Sequence, residues 1–531
     1  MSSPEEFSEQ ERRILEPYFT NTDSHVFALT NLPETVKGAL FARYSRSAKS
    51  LRRLFLDEFA GEIGNQPAPM EASVGVARAE KLYAKVFNEY GDDSVAQLGG
   101  AHLACEYVSN VLTKVLEWGR LMAYLEQSTR YVPYTDKLHG RWRYHVPAEL
   151  DGSLRARYAQ TLDETFETYA RLIIPMHRYF GTRYPKGPED SDAVHRAATR
   201  AKALDTLRGL LPAATQSNVG IYGTGQAFEA LLLRLRAHPL LEARECAAEM
   251  LRELRKVIPS FLTRVDQQDR GGRWSEYLRR TREETRRVAG EILDDIEAEP
   301  RDEVSLTDFD PDGEIKIVAA ALYSASDLPD DQLLGVARRM SPAERTAVLQ
   351  AYAGDRVNRR HRPGRAFERT AYRFDVLTDY GAFRDLQRHR LLTLEWQPLS
   401  TRHGYSEPDA IRDAGLLDEW TRVMDASAEL YEDLMSSGLT EVAPYAVSMA
   451  HRVRFYIDMN AREAMHLIEL RTAPQGHPAY RRVCQQMHTL IARRAGHTAI
   501  AEAMKFADHS EVELERLKSE RELEKRRRLK T

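Results

Sequence analysis

Two distant stretches of this chain carry one pattern, an apolar helix stripe that closes on arginine and runs through an extended segment to Ser-x-Arg. Val108, Val111, Leu112, Val115 and Leu116 keep the spacing of a buried helix face, and Glu117-Trp118-Gly119-Arg120 ends it, with Gly119 as the stop. Seven residues further on comes Ser128-Thr129-Arg130-Tyr131. In the second half Phe383, Leu386 and Arg390 share a face, Arg388-His389-Arg390 closes the stretch, and Ser400-Thr401-Arg402 follows after nine residues. The run Val26 to Leu32-Pro33 and the run Ile317 to Ser324 before Asp327-Leu328-Pro329 each precede a further helical stretch. Self-similarity at this distance implies two related bodies in one chain, which 531 residues are enough to build.

Between the halves, residues 297 to 314 gather proline, glycine and aspartate without apolar periodicity, as in Glu299-Pro300-Arg301-Asp302 and Asp308-Phe309-Asp310-Pro311-Asp312-Gly313. The division is placed there, giving 1–299 and 300–531. Most of the remainder reads as helix. Strands are expected only at residues 26–30, 121–126, 130–134, 316–322 and 391–396, so the expected class is α+β, helix-rich around a small sheet. Gly220-Ile221-Tyr222-Gly223-Thr224-Gly225 lacks a full phosphate-loop pattern and is read as a bend before a helix at 226–236. The charged segment from Glu511 to Thr531 reads as a solvated, fraying helix.

A net charge of -4 argues against a nucleic-acid binder, leaving only local patches such as Arg359-Arg360-His361-Arg362 for RNA. Cys105, Cys246 and Cys484 stand apart with no CxxC, which fits a reducing cytoplasm. No apolar run approaches the roughly 20 residues that span a bilayer, and the N-terminus has no export pattern. Sixteen histidines include no HExxH or His-x-His, so no metal is expected.

Chemistry concentrates at Arg388-His389-Arg390. Two guanidinium groups around an imidazole suit a planar, electron-rich anion. The plainer alternative is a set of cations complementing a helix C-terminus. Downstream, Asn460-Ala461-Arg462-Glu463-Ala464-Met465-His466 opens another helix, with Asn460 as cap and Glu463 placed to complete a capping box.

These stretches, in this order, resemble the flavin-dependent thymidylate synthases, which methylate dUMP with FAD, NADPH and methylenetetrahydrofolate. The first half keeps the family's spacing from Arg120 to Ser128-Thr129-Arg130-Tyr131 and its Arg-x-x-x-Pro segment, Arg208-Gly209-Leu210-Leu211-Pro212. It has Trp118 and Gly119 where the signature has Arg-His, and Gly223 and Glu229 where the last motif has Asn and His. The second half keeps Arg388-His389-Arg390 and Asn460 to Arg471 but has Thr440 where the arginine before Pro444 belongs. An early histidine motif is reduced to Gly91-Asp92-Asp93-Ser94-Val95-Ala96-Gln97-Leu98, with a second-half counterpart at His361 to Arg369.

The resemblance implies two diverged repeats of that fold, with complementary losses. It implies nucleotide binding by Ser128, Thr129, Arg130, Arg208 and Arg471, and flavin binding by Glu126, Arg388, His389, Arg390, Asn460 and His466. No protein nucleophile is implied, since Ser128 has no nearby base. A homodimer would form a pseudo-tetramer. The alternative is a homologue that binds nucleotide or flavin without making thymidylate, in a regulatory role or on another pyrimidine acceptor.

Overall fold

The computed structural model describes residues 5–529 apart from 33, 45, 64–96, 98 and 131, so the Gly91 to Leu98 motif falls, but for Gln97, outside the described residues. Strands β1 (Val26–Leu29), β2 (Gly100–Ser109), β3 (Met122–Glu126) and β4 (Gln216–Thr224) form one antiparallel sheet in the order β1-β2-β4-β3. Strands β5 (Val304–Phe309), β6 (Ala371–Asp379), β7 (Thr393–Trp396) and β8 (Arg452–Asn460) form a second in the order β5-β6-β8-β7, again antiparallel throughout. One strand order occurs twice within a helix-rich chain, so the class is α+β with two repeats.

Alternation builds the central strands. Along β8, Val453, Phe455, Ile457 and Met459 are buried while Arg452, Arg454, Tyr456 and Asp458 turn outward. In each repeat the strand leads into a helix, Gly225–Arg236 after β4 and Ala461–Arg471 after β8. A second helix, Leu241–Leu254 or Pro478–Arg493, packs on the first and on the sheet.

The chain divides into two compact units that do not follow the repeats. Unit 1 holds residues Met1–Ala170, Leu211–Ala298 and Ala426–Val447; unit 2 holds Arg171–Leu210, Glu299–Asp425 and Ser448–Thr531. Each repeat thus contributes a segment to the body of the other. Arg208 from the first half belongs to unit 2, and Pro444 from the second belongs to unit 1.

Several local expectations change. Residues 316–322 lie within the helix Gly313–Tyr323, because Ala319-Ala320-Ala321 favours helix and Ile317, Val318 and Ala321 bury together. The edge strand of the second sheet is β5, inside the stretch read as linker, where Val304 and Leu306 alternate with Ser305 and Thr307. Residues 132–134 form no ladder; Tyr134 is buried beneath the Arg143 guanidinium. Val108 belongs to β2 and not to the helix, since β2 runs on to Ser109, which caps the helix Asn110–Leu116. Gly220 and Gly223 sit in β4 itself: a Cβ would come within 2.1 Å of Phe41 at the first and 2.6 Å of Met122 at the second. The C-terminal helix Leu517–Arg528 is docked through Arg521 on Asp190 and Ser191 on Glu524. No described helix is long and apolar enough to cross a membrane.

Candidate functional site

In unit 2 the ends of β6 and β8 deliver the signature residues. Asp379 caps the short helix Tyr380–Leu386 by accepting from Ala382 N at 2.8 Å, and that helix stops just before Arg388-His389-Arg390. Asn460 caps Ala461–Arg471 by accepting from Glu463 N at 2.9 Å. The other half of the expected capping box does not form, because the Glu463 carboxylate turns away to two histidines.

His389 Nδ1 lies 3.3 Å from Glu463 Oε1, and His466 Nδ1 lies 3.3 Å from both Glu463 oxygens. On its far side His389 Nε2 accepts a hydrogen bond from Arg471 Nε at 3.0 Å. An arginine cannot accept, so the His389 proton is fixed on Nδ1 and donates to Glu463. Burial pushes the His389 pKa down to about 4, and the Arg471 charge adds to this against the opposing pull of Glu463. Burial works to raise the Glu463 pKa, but hydrogen bonds from His389 and His466 hold it down at about 2. The two agree on a neutral imidazole and a carboxylate. His389, Glu463 and His466 are close enough together to consider as a metal-ligand set. The Arg471 bond argues against that role, since it places a proton on the His389 nitrogen that would face the ion.

Both shifts make the cluster acid-sensitive. An unfolded chain protonates His389 near pH 6.5 whereas the folded one resists until about 4, so stability is lost as pH falls through that window. Loss from Glu463 follows between about 4.5 and 2. Urea unfolding of the wild type and of His389→Gln checks this. The stability difference should be constant above pH 6.5 and should shrink in the wild type's disfavour by roughly 3 kcal/mol on going to pH 4.

A second cluster adjoins the first through Arg471. Arg388 Nη2 donates to Asp385 Oδ1, Arg208 Nη1 lies 3.5 Å from Asp385 Oδ2, and Arg471 Nη1 lies 3.8 Å from Asp385 Oδ1. Three guanidinium groups from three separate motifs thus meet one carboxylate. Arg208 stands on the short turn Arg208–Leu210, tied down where Ala450 N donates to Gly209 O at 2.9 Å and Ser448 Oγ to Leu210 O at 3.0 Å. It passes beside Gly381, where a Cβ would meet its Nε and Nη2 at 3.3 Å. Arg208 is 4% exposed, and its Nη2 has no hydrogen-bond partner among the described residues. A cavity of about 620 Å³ in the same unit is lined by Arg208, Asp379, Gly381, Trp420, Arg452 and Arg482, a volume that suits a small molecule.

Other signature residues are placed differently. Arg390 is exposed. Arg462 donates to Pro363 O at 2.9 Å and reaches Glu368 at 3.3 Å, joining the last motif to the His361 to Arg369 segment. Ser128, Thr129, Arg130 and Glu126 belong to unit 1. There Glu126 is buried and its Oε2 takes a hydrogen bond from Lys114 Nζ at 3.1 Å, while Ser128 Oγ accepts from Arg130 N at 3.3 Å.

Unit 1 shows what replaced the histidine cluster in the first repeat. Trp118 stands in for Arg388, with the Arg234 guanidinium 5.4 Å from its ring. A Cβ at Gly119, the His389 counterpart, would lie 2.6 Å from Tyr124 Oη. Glu229, the His466 counterpart, is held by Arg264 at 2.9 Å. Tyr124 Oη thus stands where a side chain at residue 119 would begin, and Glu229 is engaged by Arg264.

Asp385 and Glu463 were missed as site residues by sequence reading, although each stands three residues from a signature residue, Arg388 or His466, and so on the same helix face or turn.

The family model described as thymidylate synthase complementing protein matches residues 39–260 and 305–495, once in each half. The UPF0159 protein of Chlamydia muridarum is 39% identical over 98% of this chain and 99% of its own length, and that of Thermoplasma acidophilum is 30% identical over 91% and 97%. A flavin-dependent thymidylate synthase of Clostridium tetani is 24% identical over 38% of this chain and 78% of its own length. Among solved structures, the UMP/dUMP methylase PolB from Streptomyces cacaoi bound with 5-Br dUMP aligns at 20% identity and a TM-score of 0.30, covering 38% of this chain and 94% of that one. With both halves matched by one family model, the chain belongs to the thymidylate synthase complementing protein family.

Proposed function

We propose that this protein transfers a one-carbon unit to dUMP, yielding dTMP, with FAD as cofactor and NADPH and methylenetetrahydrofolate as co-substrates. The observation that carries this reading is the convergence of Arg208, Arg388 and Arg471 on one spot in unit 2. Guanidinium forks match phosphate oxygens, and holding the nucleotide phosphate there would fix the pyrimidine for reaction. Ser128, Thr129 and Arg130 are the proposed donors of the nucleotide loop.

The donor set also suits a flavin. Arg390 is the proposed cation for its pyrophosphate, and Arg388, on the Asp385 carboxylate beside Arg208, is proposed to be shared between pyrophosphate and nucleotide phosphate. The Asn460 Oδ1 is spent on its cap, which leaves the amide nitrogen to donate. His389 has both ring nitrogens engaged, so it offers a neutral ring rather than a polar atom. His466 and Glu463 keep that ring in place, and Glu126 is the proposed contact from the first repeat. FAD, when bound, supplies the redox chemistry; the protein's share is to bind, orient and keep His389 uncharged.

The purified protein should be yellow or load with FAD, and it should oxidise NADPH only when dUMP is present. A protein that takes up no FAD sinks the flavin reading, and FAD uptake without dUMP-dependent NADPH oxidation points to a nucleotide- or flavin-binding homologue. Because the first repeat has Gly119 and Glu229 in place of the two histidines, with Tyr124 Oη against residue 119, saturation should occur at one FAD per chain, measured by absorbance after gel filtration; two per chain would contradict that assignment.

A further inference from the structure

The carboxylate at the centre of the arginine cluster is an unexpected occupant of a phosphate site. Asp385 is 8% exposed and has positive groups on several sides. Arg388 is a near neighbour in sequence, but Arg208 and Arg471 reach the same carboxylate from distant parts of the chain. It does not satisfy them. Arg208 and Arg471 stand 3.5 and 3.8 Å away, longer than a good charge-assisted hydrogen bond, and Arg208 Nη2 is buried without a partner among the described residues. Arg471 spends its Nε on His389, but Arg471 Nη1 and the Arg208 end nitrogens supply donors that the carboxylate does not take up at close range. A phosphate, with three terminal oxygens and up to two charges, matches that supply better.

We propose that Asp385 is an anionic stand-in for the nucleotide phosphate, which holds the three arginines together without ligand and must give way when the phosphate binds. This rests on the reading that Arg208 and Arg471 are the phosphate's partners. Asp385 compensates the cluster when no nucleotide is there, since three buried or half-buried cations together would repel one another. The same carboxylate lowers affinity for any phosphate by direct competition and by like-charge repulsion at a few ångströms. It therefore sets a threshold: the site fills only when a ligand brings enough other contacts to displace Asp385. Inorganic phosphate alone does not.

The test is calorimetric titration of dUMP, inorganic phosphate and 2′-deoxyuridine into the full-length wild type, Asp385→Asn and Asp385→Glu, with thermal melting to confirm folding. Asp385→Asn removes the charge and keeps the shape, and dUMP should bind roughly tenfold tighter, with inorganic phosphate becoming measurable. Affinity for 2′-deoxyuridine should not change, and Asp385→Glu, which keeps the charge, should gain nothing for dUMP. Weaker or unchanged dUMP binding by Asp385→Asn, with wild-type binding intact, would make Asp385 a plain anchor and overturn the proposal while leaving the proposed function standing. Failure of folded wild type and variants alike to bind dUMP would overturn both.

Discussion

Glu469→Ala is expected to cost about 3–5 kcal/mol and to leave little folded protein at 37 °C. Glu469 and Arg356 are both almost fully buried in unit 2 and meet through two parallel hydrogen bonds, Arg356 Nη1 to Oε1 at 2.7 Å and Nη2 to Oε2 at 2.6 Å. Arg356 also donates to Ala503 O at 2.8 Å, and Phe506 N donates to Glu469 at 3.3 Å, so the pair fastens the segment after residue 500 to the helix Ala461–Arg471. Removing the carboxylate strands a guanidinium inside the protein, and that uncompensated charge is the main cost. The double change Arg356→Met, Glu469→Leu should be far milder, because it deletes both charges and keeps the volume. Surface pairs set the scale. Arg279 with Glu276 and Glu283 on the exposed helix Arg273–Leu293 should contribute little, because solvent screens the pair and two long side chains must be held in place. Urea unfolding of the variants measures all of these.

The second large effect is expected at Arg208. Arg208→Ala should weaken dUMP binding about 100-fold, corresponding to two charge-assisted hydrogen bonds of roughly 1.5 kcal/mol each, and should leave 2′-deoxyuridine unaffected. Arg208→Lys should recover part of the loss, since it restores charge without the fork. The variant should still fold. Its backbone ties at Gly209 and Leu210 do not use the side chain, and Asp379, whose pKa burial already raises against the pull of Arg208, can take a proton once that cation is gone. Titration with both ligands checks the prediction; equal loss for both would mean that Arg208 supports the fold and not the phosphate.

Motif chemistry was more legible in this chain than its secondary structure. Arg388, His389, Arg471 and Arg208 were singled out by spacing within a known signature, and the structure brings all four into unit 2. That Arg208 would be there was not readable, because no local pattern records that residues 171–210 leave the body of their own repeat. The strands divide by physics. Strand β8 alternates clearly yet lies outside the five stretches expected as strands, and β5 alternates weakly inside an acidic, proline-bearing stretch that looks like a linker. Strand β2, Gly-Ala-His-Leu-Ala-Cys-Glu-Tyr-Val-Ser, is buried on both faces over much of its length, and such a run cannot be told from a buried helix by periodicity. Residues 316–322 failed in the opposite direction, as an apolar alanine-rich run that is helix. Glu463 was read through its backbone role as a capping residue, but its side chain serves two histidines, one of them 74 residues away in sequence.

The central claim is methyl transfer to dUMP at the arginine cluster, and the most direct measurement is release of tritium from [5-³H]dUMP, which substitution at C5 requires. With FAD, NADPH and methylenetetrahydrofolate present, the wild-type protein should release tritium and form dTMP in equal amounts, and Arg208→Ala and Arg388→Ala should reduce both at least 100-fold at subsaturating dUMP. A folded, FAD-loaded wild-type protein that releases no tritium, or variants that release it at the wild-type rate, would contradict the account.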